Sequence, residues 1–547
     1  MTDCLIIGFS EMSWESYEGL VRSIGTQSPT YRDLALAFVR LDGKSYRALD
    51  VVNSFNPSRK PMHNADFMWP VVTYLSTFLS KHDLTSDYVN LFHLQKDQLR
   101  EKLTRGDILS VAITTTLYVI PEPIIEIVEF VRQCNPAVTV IVGGPFIANQ
   151  QSGLNAVEMQ ALFSLIGADI YVISQEGEST LVKTLNALKA SHVLEGIPNL
   201  AYREGRRYVF TRVEPESNSL EDNMVNYSMF PRNEIGEFLS IRTAKSCPFA
   251  CAFCGFPERA GRYTYMSVPN VERELNNIRN TTDVSTITFL DDTFNVPKGR
   301  FKDVLKMMIK NRFDFKWNCF YRADHGDLET IELMAQAGCE GVFLGIESGS
   351  DSILERMNKG ARRRDYLQAI PALVNAGITI YASFIVGFPG ETPETVAESV
   401  DLIETTKPDF YRLQLWYCDP ATPIWKQREQ YGVKGRGFGW THDTMDWRTA
   451  CDLIEKWFVD VSGSVWLPQY GFEHWSLYYL QRKGMSKEQL KLFLKSFNAL
   501  VGNRIKSGSG SGNAGEAVLR RQLQMVATEP WRGTKAGNER RELFQAS

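Results

Sequence analysis

The sequence predicts an α/β protein: an open doubly wound sheet, then a second strand–helix run of barrel type, then a helical end. Three observations carry this. Short β-branched runs alternate with helix-length stretches from about residue 66 onward, the pattern of parallel strands joined by crossover helices. The candidate strands are apolar almost throughout, as strands covered on both faces must be. Polar or glycine-bearing turns gather just past their ends, where such sheets bind ligands.

A chain of 547 residues has room for three or four units of ordinary domain size. With 44% hydrophobic and 23% charged residues it is neither a disordered chain nor a disulfide scaffold. The net charge of -4 leaves no global footprint for a polyanion, so no nucleic-acid partner is expected. No apolar stretch approaches the ~18 residues of a membrane span. Met1-Thr2-Asp3 lacks a basic n-region, and Cys4-Leu5-Ile6-Ile7-Gly8 is too short for the apolar part of a secretory leader. A cytoplasmic protein without a membrane partner is expected.

In chain order, residues 1–65 read as an N-terminal cap: a short apolar run, Leu5 to Phe9, and a hairpin predicted around Asp42-Gly43. Residues 66–200 read as the doubly wound unit. Its strands are expected at Asp87–Phe92, Ile108–Ile113, Val138–Val142 and Asp169–Ile173, with helices after each, as from Pro123 to Gln133. Thr114-Thr115-Thr116, Gly143-Gly144-Pro145 and Glu176-Gly177 end these strands, and glycine there lets a large ligand approach the backbone. No G-x-G-x-x-G occurs within residues 66–200, so a dinucleotide is not expected. Residues 201–430 read as the barrel-type unit, with strands at Leu239–Thr243, Thr286–Leu290, Gly341–Ile346, Ile378–Val386 and Tyr411–Trp416. Chemistry-bearing residues again follow strand ends: a cysteine group, Asp291-Asp292, Arg322, Glu347 and Gly387-Phe388-Pro389. Residues 431–505 are helical and rich in tryptophan, and 506–547 read as a flexible linker (Ser507 to Gly512) and tail.

The cysteine group is the sharpest signal. Cys247, Cys251 and Cys254 form C-x-x-x-C-x-x-C directly after a strand. Clustered thiols in a reducing compartment bind metal or do catalysis. Thiolates are soft ligands for zinc or iron–sulfur clusters. Structural zinc takes four protein ligands, and no fourth Cys or His lies nearby in sequence. Three thiolates on a four-iron cluster leave one iron open to a small molecule; zinc completed from a distance is the competing reading. Cys319, Cys339, Cys418 and Cys451 read as small core hydrophobes, with Cys319 and Cys418 close enough to strand ends to reach the barrel face.

Taken with Gly255-Phe256-Pro257, Phe289-Leu290-Asp291-Asp292-Thr293-Phe294, Leu344-Gly345-Ile346-Glu347-Ser348-Gly349-Ser350 and Gly387-Phe388-Pro389-Gly390-Glu391-Thr392, the triplet resembles the radical S-adenosylmethionine (SAM) superfamily. The preceding unit, with Val142-Gly143-Gly144-Pro145 and Glu176-Gly177-Glu178-Ser179-Thr180, resembles the cobalamin-binding domain of its cobalamin-dependent members. The resemblance implies a Rossmann-like cobalamin domain followed by a partial (β/α)6 TIM-type barrel. It implies a [4Fe–4S] cluster on Cys247, Cys251 and Cys254, with SAM chelated at the fourth iron. Glu347 falls where the family contacts the SAM ribose or methionine moiety, although a strand-end carboxylate also pairs readily with a lysine or arginine. Asp291 and Asp292 fall where SAM or substrate is met, and Gly387, Phe388 and Pro389 near adenine. Arg322 would pair with the SAM carboxylate or equally form a structural ion pair. Thr114, Thr115, Thr116, Gly143, Gly144, Pro145, Glu176 and Gly177 would line the cobalamin pocket. His93 stands where many cobalamin proteins have D-x-H-x-x-G, but Leu91 and Lys96 replace the Asp and Gly, so cobalamin without a histidine ligand is expected.

The implied activity is methyl transfer from SAM by way of cobalamin to an unactivated carbon, or a phosphinate phosphorus, of a natural-product intermediate. A second SAM would be cleaved reductively to the radical that takes a substrate hydrogen. Leu5-Ile6-Ile7-Gly8, Tyr31-Arg32-Asp33-Leu34 and His63-Asn64-Ala65-Asp66 are similar to the subgroup named for phosphinate P-methyltransferases. Partners implied are a small-molecule or peptide substrate and a flavodoxin- or ferredoxin-type electron donor. A cyclase or rearrangement enzyme using the same cofactors, and a cobalamin- or redox-sensing binding protein, are the rival readings. Methylthiotransferases share the triplet but carry three more cysteines upstream; only Cys4 and Cys134 precede it here. Trp416, Tyr417, Trp425, Trp440, His442 and Trp447 would wall a substrate site or form an aromatic core.

Overall fold

The structure, a computed structural model, describes residues 1–57, 59–507 and 514–528. The chain divides into two compact units that interleave in sequence. The first holds Met1–Tyr17, Phe67–Pro248 and Phe256–Ile287; the second holds Glu18–Asp66, Phe249–Gly255 and Thr288–Ser547.

The first unit is built on strands β1 (Cys4–Phe9), β2 (Ser86–Leu91), β3 (Ser110–Thr114), β4 (Thr139–Gly143), β5 (Ile170–Val172), β6 (Leu200–Glu204) and β7 (Arg207–Phe210). They lie in the order β2-β1-β3-β4-β5-β6-β7. The first five run parallel, and the last two add antiparallel. All five residues of β3 are buried, which only a strand covered on both faces permits. The helix Glu122–Cys134 follows because Ile124, Ile127, Val128 and Val131 recur on one face, and that face meets Val111, Ile113, Val140 and Val142 in the core.

The sequence reading put residues 1–65 in a cap. The structure places Cys4–Phe9 instead at the heart of this sheet, between β2 and β3. The run is short and its partners lie about 80 and 105 residues away, so local pattern gives no hint of its centrality. Glu18–Asp66 belong to the other unit. There Arg32 pairs with Glu455 and Asp452 at 2.6 Å each, and Trp475 Nε1 donates to the Asn64 carbonyl at 2.7 Å. The predicted hairpin is present, Phe38–Leu41 against Lys44–Arg47.

The second sheet runs β8 (Phe238–Ile241), β9 (Thr286–Phe289), β10 (Lys316–Tyr321), β11 (Cys339–Glu347), β12 (Thr379–Val386), β13 (Phe410–Leu415) and β14 (Val465–Trp466), in that order. From β10 to β14 the pairing is parallel. Helices Val268–Thr281, Lys298–Lys310, Leu328–Gln336, Arg363–Asn375, Pro393–Thr406 and Trp447–Asp460 connect the strands, giving six strand–helix steps of a partial barrel. The strand β10 escaped the sequence reading; Lys316 and Asn318 interrupt its apolar run. In-register Phe320, Phe343 and Tyr381 stand side by side across β10, β11 and β12, and His474 sits 5.4 Å from both phenylalanine rings. Burial alone pushes this histidine down to about 4, so it fills space as a neutral ring.

Arg412, on β13, is 1% exposed and pairs with Asp33 at 2.8 Å, while Tyr470 donates to the other Asp33 oxygen at 2.8 Å. Among the described residues of the expected tail, Ala514–Thr528 form a helix with Leu523, Val526 and Ala527 buried, and Asn56 Nδ2 donates to the Ala527 carbonyl at 2.7 Å. Most of the linker Ser507 to Gly512 lies outside the described residues. No described helix is long and apolar enough to cross a membrane.

Replacing Asp33 by Asn leaves the Arg412 charge buried and uncompensated. The expected cost is about 3 kcal/mol, read as a lowered urea midpoint with unchanged slope. A D33L/R412M double variant is expected to lose less than D33N.

Candidate functional site

In the first unit the strand order reverses at β1, with β2 on one side and β3 on the other. In an open α/β sheet the crevice beyond such strand ends is the ligand site. Thr114 Oγ1 donates to the carbonyl of Ile7 at 3.1 Å and to that of Gly8, tying the end of β3 to the end of β1. Thr115 donates through its N and Oγ1 to the Gly143 carbonyl at 2.9 and 3.0 Å. Gly144 has φ +113°, and a Cβ there would lie 3.0 Å from Thr115 Oγ1. A Cβ on Gly177 would lie 2.7 Å from Val172 Cγ1. These glycines are needed for the close approach of neighbouring loops, a reason the sequence reading did not see. Pro145 opens the helix Pro145–Gly153 behind them.

Past β3, Thr116 is half-buried and leads to Leu117, at φ +69° and 59% exposed, and Val119, 83% exposed. A leucine in left-handed backbone is a stored strain of the kind found at ligand sites. His93 lies on the short turn Phe92–Leu94 after β2, and its Nδ1 accepts from the Glu11 N at 3.1 Å. Glu176 does not stand open to a ligand through both oxygens: Oε2 is 2.9 Å from Lys245 Nζ and accepts from the Asn218 N at 3.2 Å. Lys245 is 7% exposed and lies two residues before Cys247, so this pair holds the entry to the cysteine loop.

In the second unit, loop 249–255 is pinned by its backbone. Ala252 N donates to the Met357 carbonyl at 2.7 Å, Asn358 Nδ2 to the Ala250 carbonyl at 2.8 Å, and Ile424 N to the Ala252 carbonyl at 2.9 Å. Cys251 is buried and Cys247 and Cys254 are half-buried; none of the three is in a disulfide. Arg322, just past β10, carries its guanidinium 3.7 Å over the Phe249 ring, with Nη1 3.9 Å from Cys251 Sγ. Asp324 grips it at 2.7 Å, and Nη2 also donates to the Lys359 carbonyl. Arg322 thus forms an ion pair with Asp324 and also faces the Cys251 thiol.

Glu347 closes β11 at φ +70°, where the register with β12 shifts. Its Oε1 lies 3.0 Å from Lys359 Nζ, both side chains being nearly buried. Gly345 is required beneath it, since a Cβ there would come within 2.6 Å of Glu347 Oε1. Asp291 is buried and Asp292 exposed, both just past β9. Gly387 (φ +92°) is locked from three sides: its N donates to Glu391 Oε2 at 2.6 Å, its carbonyl is 3.0 Å from His442 Nε2, and a Cβ would meet the Trp440 ring at 2.2 Å. Phe388 and Pro389 are buried behind it, with Phe388 edge-on to Trp416 at 5.9 Å. Of the expected aromatic wall, Trp416, Trp440 and His442 are this buried brace. Tyr417 is 55% exposed, and Trp425 and Trp447 are half-buried. Lys359, Asp324 and Lys245 were missed by the sequence reading, because a lone charged residue in a polar loop carries no periodic signal. The remaining thiols are packing groups. Cys319 is fully buried in mid-strand, and burial pushes Cys418 up to about 11 and Cys451 up to about 12.

A soft-metal cluster fits this loop: three cysteines within eight residues outside any disulfide, partial burial, and a cation beside one sulfur. Residues 241–403 match the radical SAM superfamily. Those residues form a radical SAM domain. The chain is an enzyme with a radical SAM domain, and that domain implies a [4Fe–4S] cluster and SAM. An uncharacterized methyltransferase of Pyrococcus horikoshii is 28% identical over 380 residues, which cover 66% of this chain and 78% of that one. Among solved structures, the radical SAM methyltransferase TsrM of Kitasatospora setae, with tryptophan and a SAM analogue bound, superposes with a TM-score of 0.53 and 21% identity over 68% of this chain and 74% of that one. The cobalamin-dependent radical SAM enzyme OxsB superposes with a TM-score of 0.56 and 14% identity over 100% of this chain and 81% of that one. The chain shares their fold.

Burial pushes the Glu391 carboxyl up to about 8, against the lowering effect of hydrogen bonds from Gly387 and Phe388. An unfolded carboxyl ionises near 4.5, so the unfolded state is the stronger acid. Stability is then greatest below that pH and falls as pH rises toward 8. Urea midpoints at pH 5, 6.5 and 8 are expected to decline in the parent protein and to flatten in E391Q.

Proposed function

We propose that the protein is a cobalamin-dependent radical SAM methyltransferase acting on a small-molecule or peptide natural-product intermediate, at an unactivated carbon or a phosphinate phosphorus. The observation that carries this reading is chain order: a parallel 2-1-3-4-5 sheet with an open switch point directly precedes the cysteine loop and its barrel. Several relatives are named as methyltransferases or methylases, others as cyclases, and the solved neighbours bind cobalamin, or tryptophan with a SAM analogue.

Bound together, the cluster, SAM and cobalamin supply reductive SAM cleavage and methyl transfer; the chain supplies position and a dry site. Cys247, Cys251 and Cys254 hold the cluster, and Arg322 offsets thiolate charge at Cys251. Glu347, fixed by Lys359 and by its own strained backbone, accepts from the hydroxyls or ammonium of SAM. Asp291 and Asp292 extend that polar rim. The backbone of Gly387, Phe388 and Pro389, immobilised by Glu391 and His442, lies along the adenine. At the switch point Thr114, Thr115, Thr116, Gly143, Gly144, Pro145 and Gly177 would hold cobalamin, and exposed Leu117 and Val119 would offer it an apolar surface. Glu176 acts through Lys245. His93 would not be assigned to cobalt: the Asp that orients a ligating histidine is Leu91 here, and His93 Nδ1 accepts from the Glu11 N. A flavodoxin- or ferredoxin-type donor supplies electrons.

Anaerobic reconstitution with iron, sulfide and cobalamin, then SAM and strong reductant, tests the reading without a substrate. S-adenosylhomocysteine is expected to appear in step with a change in the cobalamin spectrum, and 5′-deoxyadenosine as a separate product. A ring-forming or rearranging enzyme gives 5′-deoxyadenosine without S-adenosylhomocysteine. C251A is expected to lose the cluster absorbance and all 5′-deoxyadenosine; retained cleavage there overturns the cluster assignment.

A further inference from the structure

The cysteine loop has an outer edge. Ala250, next to Cys251, is exposed, and so are Asn358 and Gly360 beside it. The hydrogen bonds from Asn358 to Ala250, from Ala252 to Met357 and from Ile424 to Ala252 fix this edge between two segments, 357–360 and 422–425. Each segment runs into a basic stretch. Residues 356–364 contain Arg356, Lys359, Arg362, Arg363 and Arg364 and no acid; residues 426–436 contain Lys426, Arg428, Lys434 and Arg436 against one acid, Glu429. Nine cations to one anion within these two stretches stand out in a chain whose net charge is -4, although Glu355 and Asp365 flank the first directly.

Lys359 turns inward to Glu347, while the others reach the surface. Some of this charge is offset by exposed acids: Arg362 meets Glu355 at 3.1 Å, Arg363 meets Asp401 at 2.5 Å, and Arg428 lies 3.6 Å from Glu429. Such exposed pairs hold little energy and exchange readily for a partner's carboxylates. Arg364 is the freer arm, its side chain 82% exposed and 3.8 Å from Asp365. On the other side Arg428 and Arg436 flank the half-buried Trp425 ring at 5.2 and 5.9 Å. Lys434 and Arg436 are two apart on one exposed strand, Lys434–Arg436, hydrogen-bonded to Gly439–His442. The two basic stretches are thus continuous in sequence with the segments that hold the cysteine loop, through Met357 and Asn358 on one side and Ile424 on the other.

Reductive cleavage of SAM consumes an electron that the chain cannot make, so a donor must come close to the cluster from outside. We propose that this face is the docking surface for an acidic one-electron carrier protein of the flavodoxin or ferredoxin class. The inference rests on the cluster assignment of the proposed function. In the docked pair the carrier gives up one electron and the [4Fe–4S] cluster gains it, with no atom or proton crossing. Opposite charge steers the encounter and sets its orientation, and salt screens it.

The test uses the reconstituted full chain, a reduced acidic flavodoxin as donor, and dithionite as a donor that needs no docking. The triple variant R364E/K434E/R436E touches none of the residues assigned to cluster or SAM. It is expected to bind flavodoxin at least tenfold more weakly at low ionic strength and to form 5′-deoxyadenosine from it at least tenfold more slowly. Its dithionite-driven rate stays at the parental value. Raising the salt should bring the parental protein's flavodoxin affinity down toward that of the variant. Unchanged flavodoxin affinity in the triple variant overturns the docking surface. If the parental protein with a confirmed cluster fails to cleave SAM even with dithionite, the functional reading falls instead, and the affinity comparison still decides the surface.

Discussion

Four residues, Met357 to Gly360, hold the reactive end of the barrel together. The Met357 carbonyl takes Ala252, Asn358 takes Ala250, the Lys359 carbonyl takes Arg322, and Lys359 Nζ takes Glu347. Gly360, at φ +81°, lets the segment turn where a Cβ would lie 3.4 Å from Arg322 Nη2. The loop bearing Cys251, the cation beside its sulfur and the strained carboxylate of β11 are therefore oriented by one short connection. A site of this kind tolerates little play, because fixed dipoles and charges act only when they need no rearrangement at the moment of reaction.

Much of this was legible from sequence, and the reasons differ by element. Covered parallel strands write themselves as β-branched runs, so β2 to β5 and most of the barrel strands were placed within two or three residues. The cysteine triplet was legible because its chemistry is packed into eight residues. Long-range partnership was not: nothing near Cys4–Phe9 announces partners at Ser86 and Ser110, and nothing at Lys359 announces Glu347. The helix Ala514–Thr528 was hidden by the glycine-serine run ahead of it, whose composition dominated the reading.

Glycine illustrates how a correct location can come with an incomplete cause. The turns after β4 and β5 were marked for ligand access. In the structure Gly144 and Gly177 are demanded by Thr115 and Val172 of the same unit. The two causes are compatible, since loops drawn tightly together form a firm floor for whatever lies on them. Gly387 shows the same economy, with its two backbone polar groups taken by Glu391 and His442 and its missing side chain filled by Trp440.

The interleaving of the two units also bears on how the chain comes into being. The first strand leaves the ribosome long before either neighbour exists, and Glu18–Asp66 must wait for β13 and for helices beyond residue 440. Contacts of such sequence separation close slowly and leave apolar edges bare meanwhile. No single cut in the chain yields both units whole. A fragment beginning after residue 66 lacks the central strand of one sheet and the counter-ion of Arg412 in the other. Gene fusion or domain exchange in this lineage would therefore have to move the whole interleaved chain at once.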